Sequence, residues 1–307
     1  MVFPRSGAIH SSLIPKLCSR ETTHLVLATM CGIFFSLSAS GPVLPNEETC
    51  YLLRSRGPDS YQVHQLQENV KRTRTKPISL AFVSTVLSMR GDHVVAQPLV
   101  DATTQSVLCW NGDAWKVAGE PIRGNDTQLI FNLLLQAVKP PHNSGPPNAL
   151  DDRSAVQRVV DVISSISGPF SFVFYDAVNA RLYFTRDCLG RRSLLQGLDE
   201  NGALKICSLC DGTSSTHFEE VATTGVHMID FTHSALQDTA TFDISSTHFN
   251  INSIQTLPWE SIDSPGHLVR ASVSLPCLGY ILMLSAEKPY SSDEQIYSTR
   301  SPPSARC

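Results

Sequence analysis

Two amphipathic helical segments, with strand-like runs on either side of them, are what most narrows the fold open to this chain. Over 127–138 the apolar residues Leu129, Ile130, Leu133 and Leu134 recur at helical spacing, and Asp126 stands ahead of them as a cap. Val156, Val159, Val160, Ile163 and Ile166 form a second helical face, stopped by Gly168-Pro169. Before these helices, 33–37, 78–89 and 106–110 are apolar runs of strand length, and 46–56 reads as a helix ending at Gly57-Pro58. After them, 170–175 and 181–186 flank a turn at 176–180, and 203–208 and 225–231 read as further strands. Strands, then helices, then strands again predict an α+β sandwich. The segment 139–148 is rich in Pro, Gly and Asn and reads as a surface loop, while 285–307 is polar, aperiodic and expected to be disordered. No internal repeat is present.

Composition excludes several function classes. A formal charge of −4 offers no electrostatic basis for nucleic acid as a partner. The basic run 71–76 lacks interleaved aromatics and reads as a solvated loop. Nine cysteines, odd in number and irregular in spacing, argue against a secreted disulfide framework. The lone pair Cys207 and Cys210 falls short of the four ligands usual for zinc, so no metal is expected. No run reaches the ~18 apolar residues of a membrane span, 278–284 included. Reduced thiols without a membrane segment lead to the expectation of a cytoplasmic protein.

Chemistry enters at Cys31, which directly follows Met30. Removal of that methionine leaves one residue carrying a thiol nucleophile and a free α-amine, groups that titrate near ~8.5 and ~8 and can exchange a proton. The 29 residues before Met30 admit three readings. They are faintly transit-peptide-like; or 25–35 is a signal-peptide core cleaved near 38–40; or translation starts at Met30, the reading favoured by what lies downstream. By itself, a cysteine in an apolar strand is usually a small buried hydrophobe. Here Gly32 leaves space beside the thiol, and Arg56-Gly57-Pro58-Asp59 puts a cation and a carboxylate around a tight turn. Asn111-Gly112 is either an oxyanion-stabilising pair of donors or a hairpin turn. Asn125-Asp126-Thr127 alone is a helix cap.

Together these motifs resemble the class II (N-terminal nucleophile) glutamine amidotransferases, specifically the glutaminase domain of asparagine synthetases and the divergent asparagine synthetase domain-containing branch. The resemblance runs from Cys31 to about Trp259. It is carried by Met-Cys-Gly-Ile, Arg-Gly-Pro-Asp, Ala96-Gln97-Pro98-Leu99, Trp110-Asn111-Gly112-Asp113, Asn-Asp-Thr-Gln, Gly168-Pro169-Phe170-Ser171-Phe172 and the stretch 186–194. Each is weak alone; seven in the same order are strong.

What the resemblance implies is a four-layer αββα sandwich of Ntn-hydrolase type over 31–259, between an extension or mis-annotated start (1–30) and an irregular tail (260–307). It implies a catalytic set of Cys31 as nucleophile with Asn111 and Gly112 as oxyanion donors. Asp126 would meet the α-ammonium of glutamine, Asp113 stands where the family commonly has glutamate, and Arg56 and Asp59 would shape the pocket wall. Arg186-Asp187 would be an internal ion pair. No cofactor is implied. Val86 occupies the position at which asparagine synthetases use an arginine for the substrate carboxylate, and valine cannot make that forked contact. Arg90 follows four residues later, ~13 Å away on an extended path. The Ser-Gly-Gly-x-Asp-Ser loop of a synthetase domain is absent, so the ligase step of asparagine biosynthesis would need a separate synthetase domain or subunit as partner. The expected function is glutamine hydrolysis with ammonia release. The alternatives are a catalytically inactive amidotransferase-like binding module, another class II amidotransferase, and an unrelated secreted protein.

Overall fold

The computed structural model describes residues 30–68, 77–140, 154–210, 216–232 and 249–259. The basic run 71–76, most of the loop 139–148, the apolar stretch 278–284, and the segments 1–29 and 260–307 lie outside the described residues.

Three α-helices are described, each begun by a side chain that accepts from a backbone N–H its helix leaves unpaired. Asn46 caps α1 (Glu47–Arg56) by accepting from Thr49 N, with Glu47 and Glu48 in the first turn and Arg54 and Arg56 in the last, as the helix dipole favours. Asn125 caps α2 (Asp126–Val138) and Ser154 caps α3 (Ala155–Ser164).

The first sheet contains β1 (Gly32–Ser38), β2 (Ser60–Glu68), β3 (Ile78–Val86), β11 (Leu195–Leu198), β12 (Leu204–Cys207) and β13 (His217–Glu220), in the order β13-β11-β12-β1-β3-β2. The second contains β4 (Leu99–Val100), β5 (Val107–Gly112), β9 (Phe170–Asp176), β10 (Arg181–Arg186), β14 (Gly225–Asp230) and β15 (Gln255–Pro258), in the order β15-β14-β10-β9-β5-β4. A small third sheet joins β6 (Lys116–Val117) to β7 (Glu120–Pro121) and β8 (Ile166–Ser167).

Alternation along the strands generates the layers. In β1, Ile33, Phe35 and Leu37 face the second sheet and pack with Leu80 and Phe82 of β3, Val107 and Cys109 of β5, and Val173 and Tyr175 of β9. Phe34, one residue out of phase, turns the other way, with Val83 and Cys207, onto Leu53 of α1. On the far face of the second sheet Leu108, Trp110, Phe172 and Phe174 meet Ile130, Phe131 and Leu134 of α2 and Val159, Val160 and Ile163 of α3. The result is helix, sheet, sheet, helices: an αββα sandwich.

Several boundaries differ from the sequence reading. The run 78–89 stops being a strand at Val86, because Asp59 occupies what would continue it: its N–H donates to Val86 O at 2.9 Å and its Oδ2 accepts from Ser88 N at 2.7 Å. Asn125, not Asp126, caps α2, and the buried face is Ile130, Phe131, Leu134, Ala137 and Val138, with Leu129 left exposed. Ile166 falls outside α3 and pairs in β8. Arg186 and Asp187 do not pair with each other: Arg186 reaches Glu220 at 2.9 Å and Asp187 reaches Arg191 at 2.9 Å.

Candidate active site

The glycines on either side of α1 set the position of Cys31. A Cβ on Gly32 would lie 2.5 Å from Thr85 Oγ1 and 2.8 Å from a Leu53 methyl. One on Gly57 would lie 2.6 Å from the backbone of Thr85 and Val86. Both approaches admit glycine alone, so α1 seats directly against the end of β3 and the start of β1. Thr85 Oγ1 donates to Leu53 O at 2.8 Å, and Met30 N donates to Arg56 O at 3.0 Å, holding the chain that enters Cys31.

Cys31 opens into a cavity of about 150 Å³. Its walls include Met30, Val86, Leu87, Arg90, Gln97, Trp110, Asn111, Gly112, Asp113, Asn125, Asp126 and Arg192. The structure thus brings five of the seven residues singled out from sequence, Cys31, Asn111, Gly112, Asp113 and Asp126, around one space. Arg56 is not in the cavity wall. It is buried behind it, donating from Nη1 to Ser208 O at 3.2 Å and Ser193 Oγ at 3.3 Å. Asp59 likewise lies outside the wall and acts on it through Ser88.

Asn111 and Gly112 are not in a hairpin turn. They are the last two residues of β5, in register with Ser171 and Phe170 of β9. A Cβ at Gly112 would lie 2.6 Å from the Trp110 indole, which leaves this position to glycine. Asn111 is buried, and its Nδ2 has no hydrogen-bond partner among the described residues. An amide donor left unpaired in a protein interior costs ~1–3 kcal/mol, a cost that an acceptor reaching it from the cavity, water or ligand, offsets.

Because Asn125 takes the capping role, accepting from Thr127 N at 3.0 Å, the Asp126 carboxylate is free to turn inward. Its Oδ2 accepts from Trp110 Nε1 at 3.1 Å and from Ala114 N at 2.8 Å. Burial raises the Asp126 pKa above the ordinary carboxylate value, against the lowering effect of these two donors.

Burial likewise pushes the Cys31 thiol up, and the Asp126 charge adds to that; Arg192 and Arg56 pull the other way without prevailing. Its Sγ lies 3.7 Å from Leu87 O. An unassisted Cys31 is therefore a poorer nucleophile at neutral pH than a free cysteine, and a base beside it is what the site requires.

The sequence reading missed Gln97 and the course of Arg90. Gln97 Oε1 accepts from Trp110 N at 2.6 Å, locking the strand that carries Asn111. Its signal is the Ala96-Gln97-Pro98-Leu99 string, which by itself assigns the glutamine no role. Arg90 comes back into the cavity wall since the chain leaves the strand at Val86. Its guanidinium donates to Asp113 Oδ1 at 3.1 Å, Ala114 O at 2.6 Å and Ile122 O at 3.0 Å.

No protein-family model matches the chain. Asparagine synthetase domain-containing protein 1 of Homo sapiens is 29% identical over 208 residues, covering 66% of this chain and 28% of the human protein. The Bos taurus protein of the same name is 31% identical over 204 residues, covering 65% of this chain and 28% of that protein. The chain thus spans under a third of the length of these curated relatives. Among solved structures, the allosteric regulatory enzyme of purine biosynthesis aligns with a TM-score of 0.43 and 14% identity, over 65% of this chain and 47% of that one, too loosely to add to the topology above. On the strength of the sequence identity, the chain is a homologue of the asparagine synthetase domain-containing proteins, related to them through the part of their length that it shares.

Proposed function

We propose that the chain, once it begins at Cys31, hydrolyses the side-chain amide of glutamine and releases ammonia. The observation that carries this reading is the unpartnered Asn111 Nδ2, buried in the wall of the cavity into which Cys31 opens. The α-amine of Cys31 takes the thiol proton, and Sγ adds to the amide carbon. Asn111 Nδ2 and the Gly112 N–H donate to the oxyanion. Collapse breaks the C–N bond, with the proton returned to the leaving nitrogen, and gives a thioester and ammonia. Water then adds to the thioester, and glutamate leaves with the thiol restored. Asp126 meets the substrate's ammonium group, and its turn away from the capping role is what makes it available. The ammonia would serve a separate synthetase domain or subunit, in the reducing cytoplasm that a thiol catalyst favours.

A second reading has an observation of its own. Met30 forms part of the cavity wall and its Sδ lies 2.9 Å from Arg192 Nη1, so a chain that retains Met30 presents a partly filled cavity and an acylated Cys31 nitrogen. Such a chain is an amidotransferase-like binding module, not an enzyme.

A diazo-ketone analogue of glutamine separates the two. Every strand and helix described begins at or beyond Gly32, so cleavage between Met30 and Cys31 leaves them all in place. The chain beginning at Cys31 should acquire a single adduct on Cys31, with dinitrogen as the leaving group. The chain retaining Met30 should acquire little at neutral pH and progressively more as pH rises through the raised thiol pKa, since only the thiolate reacts. Absence of the adduct in the chain beginning at Cys31 would remove the glutaminase reading. No helix among the described residues is long and apolar enough to cross a membrane.

A further inference from the structure

A cavity for an amino acid needs a cation for the α-carboxylate, and Val86 supplies none. Two arginines line the cavity, and they are not equivalent. Arg90 is committed: one carboxylate and two backbone carbonyls of this chain already accept from its guanidinium. Arg192 has one hydrogen-bond contact among the described residues, from Nη1 to the thioether of Met30 at 2.9 Å, and sulfur is a weak acceptor. Its Nε is buried and has no partner among the described residues. Removal of Met30 deletes the sulfur and opens the guanidinium fork to the cavity.

The surrounding loop holds Arg192 in that attitude. Its neighbour Arg191 is pinned by Asp187 at 2.9 Å and by Gly168 O at 2.7 Å. On the other side Ser193 Oγ donates to Ser208 O at 2.6 Å. With both neighbours fixed, Arg192 is presented to the cavity by backbone that has little freedom to move. Charge is complementary as well: Asp113 is neutralised by Arg90, whereas Asp126 is held by neutral donors. Arg192 and Asp126 are then a cation and an anion on the same cavity, as a zwitterionic amino acid requires.

We propose that Arg192 is the substrate-carboxylate anchor of this site, taking the part that Val86 cannot play and becoming available when Met30 is removed. The proposal rests on the glutaminase reading. The guanidinium fork receives the two carboxylate oxygens, a charge-assisted contact of the kind that planar bidentate geometry favours.

The test compares the diazo-ketone analogue of glutamine with its α-methyl ester, both at sub-saturating concentration, on the chain beginning at Cys31. The native site should be alkylated about 10- to 100-fold faster by the acid than by the ester, the range expected for one charge-assisted contact. Arg192→Gln should abolish that preference, and Arg192→Lys, which keeps the charge but not the fork, should retain part of it. The acid-to-ester ratio cancels any change in thiol reactivity that comes from removing a nearby cation. Iodoacetamide labelling of Cys31, with buried Cys109 left unlabelled, reports that each variant is folded. If Arg192→Gln loses the protection of Cys109, the ratio in Arg192→Lys decides. An undiminished preference for the acid in the folded variant overturns the proposal. Failure of the native chain to react with the acid, while iodoacetamide still labels Cys31, would instead refute the glutaminase reading itself.

Discussion

Cys31→Ala, in a chain that begins at that position, is expected to lower kcat for glutamine hydrolysis by about 10⁴-fold or more. The thioester cannot form without Sγ, and no other described cysteine can stand in. Cys109 is fully buried between the sheets, with its thiol pushed up to about 12, and Cys207 is buried on the opposite face of the first sheet. Among the described residues, the cavity wall contains no second cysteine and no serine other than Ser88. Glutamine binding should survive the substitution, because Asp126, Arg192 and the cavity wall are untouched. Ammonia release and calorimetric titration of glutamine on the same preparation measure both halves of this statement. Turnover that persists in Cys31→Ala would locate the chemistry elsewhere.

Asn111→Ala should cost about 10²- to 10³-fold in kcat with little change in KM, the signature of a donor used in the transition state more than in the ground state. The structure makes the partition sharper than usual. Nδ2 has no partner among the described residues, so its loss breaks no hydrogen bond of its own in the resting protein. A large fall in thermal stability is therefore not expected, since a buried unsatisfied donor is itself a cost to the fold. Steady-state kinetics and a melting curve suffice. A rise in KM at unchanged kcat would instead make Asn111 a ground-state contact.

Much of this site could be read from the sequence because its positions are fixed by local rules. Gly32, Gly57 and Gly112 each stand where a side chain would strike a neighbour, so the motifs that contain them announce close approaches. Asn125 and Asp126 sit at a helix start, whose chemistry is local too. The strands of the inner layers were legible where apolar residues run on, as in β1 and β9. Strand β2 was not, because its pattern Ser-Tyr-Gln-Val-His-Gln-Leu-Gln-Glu is that of a half-exposed edge strand with few apolar residues.

What stayed hidden depends on long-range contacts. An extended path would put Arg90 ~13 Å beyond Val86, yet the hydrogen bonds of Asp59, far upstream, turn the chain after Val86 and bring Arg90 into the wall. Arg56 looked like a pocket residue next to its turn, yet the carbonyl of Ser208 and the hydroxyl of Ser193 draw it behind the wall. The partners of Arg186 and Asp187 were likewise set by Glu220 and Arg191, not by adjacency.

In the proposed mechanism Cys31 works as an N-terminal residue whose own amine supplies the base. The most direct test is ammonia release from amide-labelled glutamine by two chains that differ by one residue, one beginning at Met30 and one at Cys31. A base of this kind contributes ~10²- to 10⁴-fold, so the chain beginning at Cys31 should be at least about 100-fold faster. Equal rates from the two chains, or none from the chain beginning at Cys31, would contradict the account.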